Sequence, residues 1–200
     1  MLAYPLTVPL LPDPEAHEYR KSMSGPSEHA RPTRDLTPEF LTKLKHMLEE
    51  TYREPLVEDW EHALGGVHFY IEEDGDPVSH ASVVERVLEI GGQQFRTGYV
   101  EAVATRPDRQ RRGLGSRVVQ AATAHVFEEY ELGGLSTGQN DLYARFGWET
   151  WRGQTFVRTD SGLERTADED GGVMVLRAGP SAGVDLDAAI SCEWRAGDVW

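Results

Sequence analysis

The stretch of this chain best suited to holding an anion is Gln110-Arg111-Arg112-Gly113-Leu114-Gly115, inside the longer run RPDRQRRGLGSRVV. It follows a strand-like apolar pattern and opens a helical one. At such a junction the unpaired N–H groups of the first helical turn, and the positive end of the helix dipole, face whatever lies before the helix. Glycine lets the backbone come close to a phosphate, and arginine adds charge-assisted hydrogen bonds. Between Arg106 and Arg117 there are five arginines and one acid, Asp108, a basic island in an acidic chain. The glycine spacing fits neither the dinucleotide fingerprint nor a Walker A loop, whose lysine is absent.

Other groups with chemical potential stand apart from this loop. Glu101, in GYVEAVAT, is a carboxylate just ahead of it, and Tyr143, in DLYARFGW, is a phenol some way after it. Each also suits a plain structural role, as an exposed strand acid or a half-buried ring with a wet tip. The tail CEWRAGDVW carries two tryptophans, with Asp198 two places before the last residue. That is an aromatic, anionic hook where a polar, poorly ordered end is usual. Trp194 and Trp200 equally suit pinning a last strand to the core. Cys192 has no Cys or His neighbour at ligand spacing and suits a small buried core position. The seven histidines are scattered without a metal-ligand pattern, so no metal is expected.

The bulk of the chain bounds what these groups can serve. Two hundred residues suit one domain with a real core. A net charge of −14 disfavours nucleic acid and anionic lipid and favours a cationic partner. No apolar run approaches the roughly 20 residues that cross a bilayer. The apolar start, MLAYPLTVPLLPDPE, lacks a basic segment and is broken by prolines, so it reads as neither signal peptide nor anchor. One cysteine leaves no internal disulfide framework and fits a reducing cytoplasm.

The elements follow from pattern. Residues 1–34, rich in Pro, Ser and charge, read as a loosely ordered arm or a segment lying over the surface. LTPEFLTKLKHMLEETY reads as a helix, with Thr37 as N-cap, Pro38 at the first position and a Phe40, Leu41, Leu44, Met47, Leu48 stripe. Strands are expected at VHFYIEE, VSHASVVERVLEI and QQFRTGYVEAVAT, joined by turns at DGDP and GG. Gly98 reads as a bulge or a close backbone approach. A helix follows from about Leu114 to Tyr130, burying Val118, Val119, Ala122 and Val126. GGLST, TFVRT and GVMVLR read as further strands and DLYARFG as a short helix. The order predicts an α/β (α+β) architecture with a mixed sheet that is not doubly wound.

The Gln110–Gly115 stretch, with its strand before and helix after, resembles the Gln/Arg-x-x-Gly-x-Gly/Ala signature of the Gcn5-related N-acetyltransferases (GNAT). The resemblance implies a GNAT-type acyltransferase fold over residues 35–200: a mostly antiparallel mixed sheet with a splayed central strand pair, flanked by helices. It implies acetyl-CoA as acetyl donor, its pyrophosphate held by Gln110, Arg111, Arg112, Gly113, Leu114, Gly115 and Ser116. The strand before the loop would splay from its neighbour, leaving the backbone of Val103, Ala104 and Thr105 to pair with the pantetheine arm. Acetyl transfer to an amine needs a neutral amine, a polarised carbonyl and a proton for the departing thiolate. Glu101 would take the amine's proton through a water, and Tyr143 would protonate the sulfur.

Taken together, EDWEHALGGVHFYI, TGYVEAVAT, LYARFGW and CEWRAGDVW resemble the aminoglycoside 2′-N-acetyltransferases, from about residue 35 to the C-terminus. The resemblance implies direct attack by the 2′-amine of an aminoglycoside, and so antibiotic resistance. Such a polyammonium sugar would meet Asp198 and the terminal carboxylate of Trp200, with Asp59 on the other side. Ser136, Asp168 and Glu169 would add further contacts. Gly98 to Ala102 would line the reactive end through backbone, beside Glu101. Glu54 stands where relatives tend to carry an aspartate. The fold often forms homodimers. Two rivals stay open: a GNAT enzyme for another polyamine or a protein amine, and a binding protein that sequesters aminoglycoside or acyl-CoA without turnover.

Overall fold

The computed structural model describes residues 26–53, 55 and 57–200. Strand β1 spans Ser27–Pro32, helix α1 Pro38–Tyr52 and helix α2 Glu58–Ala63. Strands β2 (Val67–Glu73), β3 (Asp76–Ile90) and β4 (Gln93–Thr105) then form a meander closed by tight turns. Helix α3 (Leu114–Glu129) and strand β5 (Leu132–Ser136) follow, then a short helix α4 (Asn140–Ala144). The remaining strands are β6 (Glu149–Thr150), β7 (Thr155–Thr159), β8 (Gly162–Arg165), β9 (Val173–Arg177) and β10 (Ile190–Glu193).

Among the described residues, ten strands form one sheet. Its main path runs β6-β9-β5-β4-β3-β10-β7-β8, with β2 and then β1 added at the end of β3 nearest the β2–β3 turn. Most pairings are antiparallel; β4–β5 and β10–β7 are parallel. The expected arm needs correction at its end. Ser27–Pro32 pairs antiparallel with Val67–Glu72 as an edge strand. The rest of the expected arm, residues 1–25, lies outside the described residues, as does Glu54.

Local chemistry accounts for the main elements. Thr37 accepts a hydrogen bond from the Phe40 N–H at 3.2 Å, Pro38 opens α1, and Leu44, Met47 and Leu48 bury its inner face. That face packs on Tyr70 and Ala104. Leu114, Val118, Val119, Ala122 and Val126 of α3 pack on Phe69, Val83, Val100 and Leu135 on one side of the sheet. The other side buries Leu88, Phe95, Tyr99, Trp151 and Trp200. At Gly98 an added Cβ would meet the Tyr130 ring at 2.6 Å and Val126 at 3.0 Å, so the residue marks a close approach of α3 to β4.

Two irregularities in β4 shape the functional side. It pairs with β5 only at Thr97–Tyr99, opposite Leu132–Gly134. Beyond that point β5 pairs with β9 and β4 with β3, so the two parallel strands diverge. The β3–β4 register also slips: His80 faces Ala104 and Ser82 faces Glu101, leaving Ala102 and Val103 as a bulge. Ala102 sits at φ 51°, left-handed for a residue with a Cβ, a conformation that costs about 1–2 kcal/mol and needs support from its surroundings.

Candidate active site

A cleft of about 860 Å³ opens where β4 and β5 part. Its floor is the β4 backbone through Glu101, Ala102, Val103, Ala104 and Thr105. One end is the turn into α3, contributed by Gln110, Arg111, Gly113, Leu114, Gly115 and Ser116. Ser136 and Tyr143 stand on the β5 side, and Trp200 closes the far end. Fourteen of the residues singled out in the sequence therefore meet in one space.

The end at α3 is built for an anion. Gly113 is the N-cap at φ 79°, a left-handed turn that leaves the first-turn amides open. A Cβ on Gly115 would come 3.0 Å from the Thr105 hydroxyl, so the backbone there approaches β4 more closely than a side chain would comfortably allow. The basic island is less free than its composition suggested. Arg106 pairs with Asp108, Arg109 with Glu73 and Asp108, and Arg117 with Glu28. Arg112, expected at the anion, lies 3.5 Å from Glu73 and does not line the cleft. Arg111 lines it and has no ion pair among the described residues.

At the other end Glu101 is largely buried, its side chain 14 % exposed. Arg195 donates to its Oε1 from Nη1 at 2.6 Å. The same guanidinium donates from Nε to the Asp198 carbonyl (2.8 Å) and from Nη2 to the Trp200 main-chain oxygen (3.0 Å). Burial pushes the Glu101 carboxyl up, Arg195 and Arg86 pull it down, and Asp198 pushes it up again; the balance lies above the ordinary carboxylate range. Beneath them Tyr99 carries both guanidinium groups, with Arg86 Cζ 4.6 Å and Arg195 Cζ 5.8 Å from its ring centre.

The tail is fastened rather than free. Arg86, buried, donates to Glu193 Oε1 (3.1 Å), to the Glu193 carbonyl (3.1 Å) and to the Val199 carbonyl (2.8 Å). The Cys192 thiol also faces the Val199 carbonyl, at 3.2 Å, and burial pushes it up to about 11, which makes it inert. Trp200 is 3 % exposed and donates from Nε1 to Thr166 Oγ1 at 2.9 Å. Trp194 is 61 % exposed, so of the two tryptophans of the hook only Trp200 anchors it. Helix α2 rests on this tail, with His62 Nε2 2.9 Å from the Ala196 carbonyl.

The remaining predicted acids rim the cleft without lining it. Ser136 donates to Glu169 Oε2 at 2.9 Å. Burial, Asp198 and Asp168 together push the Glu169 carboxyl up, so these three acids share one field. Asp59, exposed on α2, combines with Glu101 to raise the Tyr52 hydroxyl, which burial pushes up to about 12. Tyr143 is buried and its phenol is likewise raised by burial, so it stays protonated and able to donate.

Two further side chains engage the cleft's backbone and carboxyl beyond those expected from the sequence. Tyr52, 42 % exposed, donates to the Val103 carbonyl at 2.7 Å and lines the cleft; its place four residues after Leu48, extending the apolar stripe of α1, is the available signal. Arg195 lies in the tail motif, and nothing local in the sequence ties it to Glu101.

Comparisons with known proteins place the chain among acetyltransferases. A model of the acetyltransferase (GNAT) domain family matches residues 32–151. An aminoglycoside 2′-N-acetyltransferase of Mycolicibacterium fortuitum is 40 % identical over 173 residues, covering 84 % of this chain and 89 % of that one. Among solved structures, a GNAT family N-acetyltransferase from Escherichia coli in complex with CoA superposes with a TM-score of 0.60 at 14 % identity, covering 84 % of this chain and 89 % of that one. A GNAT family acetyltransferase from Brucella melitensis in complex with acetyl-CoA gives 0.55 at 18 % identity, over 85 % and 97 %. The chain spans 33–34 % of three longer acyltransferases of solved structure.

Proposed function

The chain belongs to the GNAT acetyltransferase family, and we propose that it is an acetyl-CoA-dependent aminoglycoside 2′-N-acetyltransferase that confers antibiotic resistance. The observation that carries the reading is the joining, in one cleft, of the glycine-built α3 terminus and the buried Glu101 carboxyl. Acetyl-CoA supplies an activated acyl group and a thiolate leaving group; all else falls to the chain.

The amides from Arg111 to Ser116, with the Arg111 guanidinium, receive the pyrophosphate. The β4 edge from Val103 to Thr105, released from β5 by the splay, offers the pantetheine arm its backbone groups. Glu101 takes the proton from the attacking amine, directly or through a water. Arg195 keeps that carboxylate ionised, while burial makes it more basic than an exposed one. Tyr143 delivers a proton at the sulfur end. Asp198, Asp168, Glu169 and Asp59 gather the acceptor's ammonium groups, and Ser136 adds a hydroxyl. An acidic chain of net charge −14 draws such a cation to the cleft mouth.

We place the enzyme in the cytoplasm, where a lone buried thiol such as Cys192 stays reduced. We further propose one catalytic domain from β1 to Trp200, working as a homodimer. Sedimentation would decide the dimer. The function is tested by thiol release from acetyl-CoA with matched aminoglycosides bearing an amine or a hydroxyl at the 2′ position. Turnover with the 2′-amines alone is expected. Equal turnover with both would move the reaction to another amine, and binding without turnover would leave only a sequestering protein.

A further inference from the structure

Two histidines that the mechanism leaves unused lie fully buried side by side under the cleft. His68 of β2 and His80 of β3 are both 0 % exposed. They belong to an unbroken chain of hydrogen bonds. Thr33 Oγ1 is 2.8 Å from His68 Nε2, His68 Nδ1 is 2.9 Å from His80 Nε2, and His80 Nδ1 is 2.8 Å from the Ala102 carbonyl. The outer end is held as well: Thr33 Oγ1 accepts from the Gly65 N–H at 2.9 Å.

The direction of this chain is fixed by its inner end. A carbonyl oxygen only accepts, so His80 Nδ1 carries a hydrogen. Burial holds both rings far below the ordinary histidine range, His68 to about 4 and His80, with its neighbour adding, to about 3. Each neutral ring therefore carries one hydrogen. His80 Nε2 accepts from His68 Nδ1–H, and His68 Nε2, at 2.8 Å, accepts from the Thr33 hydroxyl in preference to the Gly66 carbonyl 3.3 Å away. A chain ending on a carbonyl passes no proton onward, so it acts as a brace and not as a proton wire.

What it braces is the bulge. The slip that leaves Ala102 and Val103 unmatched to β3 takes the Ala102 carbonyl out of the ladder, and His80 supplies its donor. Tyr52 does the same for the next carbonyl, Val103. Ala102 holds its left-handed φ of 51° between these two clamps, and Glu101 is its immediate neighbour.

We propose that His80, backed by His68 and Thr33, is a positioning residue that locks the Ala102 peptide and so aims Glu101 and the bulge amides at the reacting atoms. This rests on the reading of Glu101 as the base.

The test has one arm independent of activity. Nitrogen-15 spectra of the intact protein should show His68 and His80 as neutral Nδ1–H tautomers from about pH 5 to pH 8. An Nε2–H tautomer at His80, or titration of either ring within that range, overturns the relay. In the second arm, His80→Asn keeps a donor where Nδ1 stands, whereas His80→Leu removes it. The leucine variant should lose about tenfold or more in kcat, toward the hundredfold that a 1 Å misplacement costs. Its KM for acetyl-CoA should hold, and the asparagine variant should recover most of the loss. Equal activity in the two variants overturns the proposal. If the leucine variant does not fold, the spectra and the asparagine variant decide. A wild-type protein without aminoglycoside turnover would sink the functional reading and leave the tautomers to judge the relay.

Discussion

Replacing Arg195 by glutamine would remove the positive half of the best-buried ion pair in the cleft. The side chains are 16 % and 14 % exposed and meet at 2.6 Å, so their charge centres lie about 4 Å apart. At the effective dielectric suited to proteins this is about 4 kcal/mol of attraction, in line with the roughly 3–5 kcal/mol lost when one partner of a buried pair is removed. Burial already raises the Glu101 carboxyl and Arg195 lowers it, so the substitution raises it further. A group whose folded-state pKa lies above its unfolded value contributes stability that is present below the unfolded pKa and lost as pH rises through the folded one. The deficit of Arg195→Gln against wild type should therefore be largest at neutral pH and shrink toward about pH 4, near the unfolded glutamate value. Thermal melts should show a gap of about 10 °C at neutral pH, from 2–4 °C per kcal/mol for a chain of this size. At acid pH what persists is the share due to the lost bonds to the Asp198 and Trp200 oxygens. The acid limb of kcat/KM should move up by about one unit, which takes only a third of the attraction. His62, which Arg195 also pushes down, is separated by repeating the melts with Glu101→Gln, where the glutamate's share of the pH dependence should vanish and what stays belongs to His62. A gap of constant size at all pH values, with an unmoved acid limb, would refute the reasoning and leave Arg195 as a tail clasp only.

Glu101→Gln alone should cut turnover by about 10²–10⁴-fold, the range for losing a general base, while calorimetry shows acetyl-CoA binding unchanged. Gly115→Ala puts a methyl 3.0 Å from a Thr105 hydroxyl already held 2.8 Å from Ser79. It should weaken acetyl-CoA binding by about 1–3 kcal/mol, the usual cost of overpacking, with titration against CoA as the check. Deleting Asp198 to Trp200 should lower aminoglycoside affinity more than acetyl-CoA affinity, and equal losses by calorimetry would assign the tail a structural role alone. Trp200→Phe keeps the buried ring but loses the bond to Thr166, and should cost about 1 kcal/mol in denaturant unfolding.

The cofactor half of the molecule was legible because its signals are local. Thr37 and Pro38 mark a helix start by themselves, and Gln110 to Gly115 announce a turn between strand and helix. The meander from Val67 to Thr105 shows in its apolar runs and its glycine turns. What escaped was non-local. SEHARP has no apolar alternation, and only the exposed edge of β2 makes a strand of it. Arg112 looked like a phosphate ligand because composition cannot show Glu73 folding back to meet it. Arg195 and Glu101 lie 94 residues apart, and no spacing rule joins them. The His68–His80 contact is closer in sequence, yet it depends on β2 and β3 pairing in one register. The slip at Ala102 is visible only once β3 and β4 are laid side by side.

Strand β10 lies between β3 and β7, and among the described residues the β7–β8 hairpin joins the sheet only through it. During synthesis β2 to β5 and α3 leave the ribosome early and make contacts mostly among themselves. The β7–β8 hairpin has no strand to pair with until Ile190–Glu193 is made. The α3 end of the cleft is thus complete while Arg195 and Trp200 are still to be added. A chain halted before Ile190 would hold the Glu101 carboxyl without the Arg195 guanidinium that pairs with it, so the clasp on that carboxyl forms only after the floor of the cleft is made.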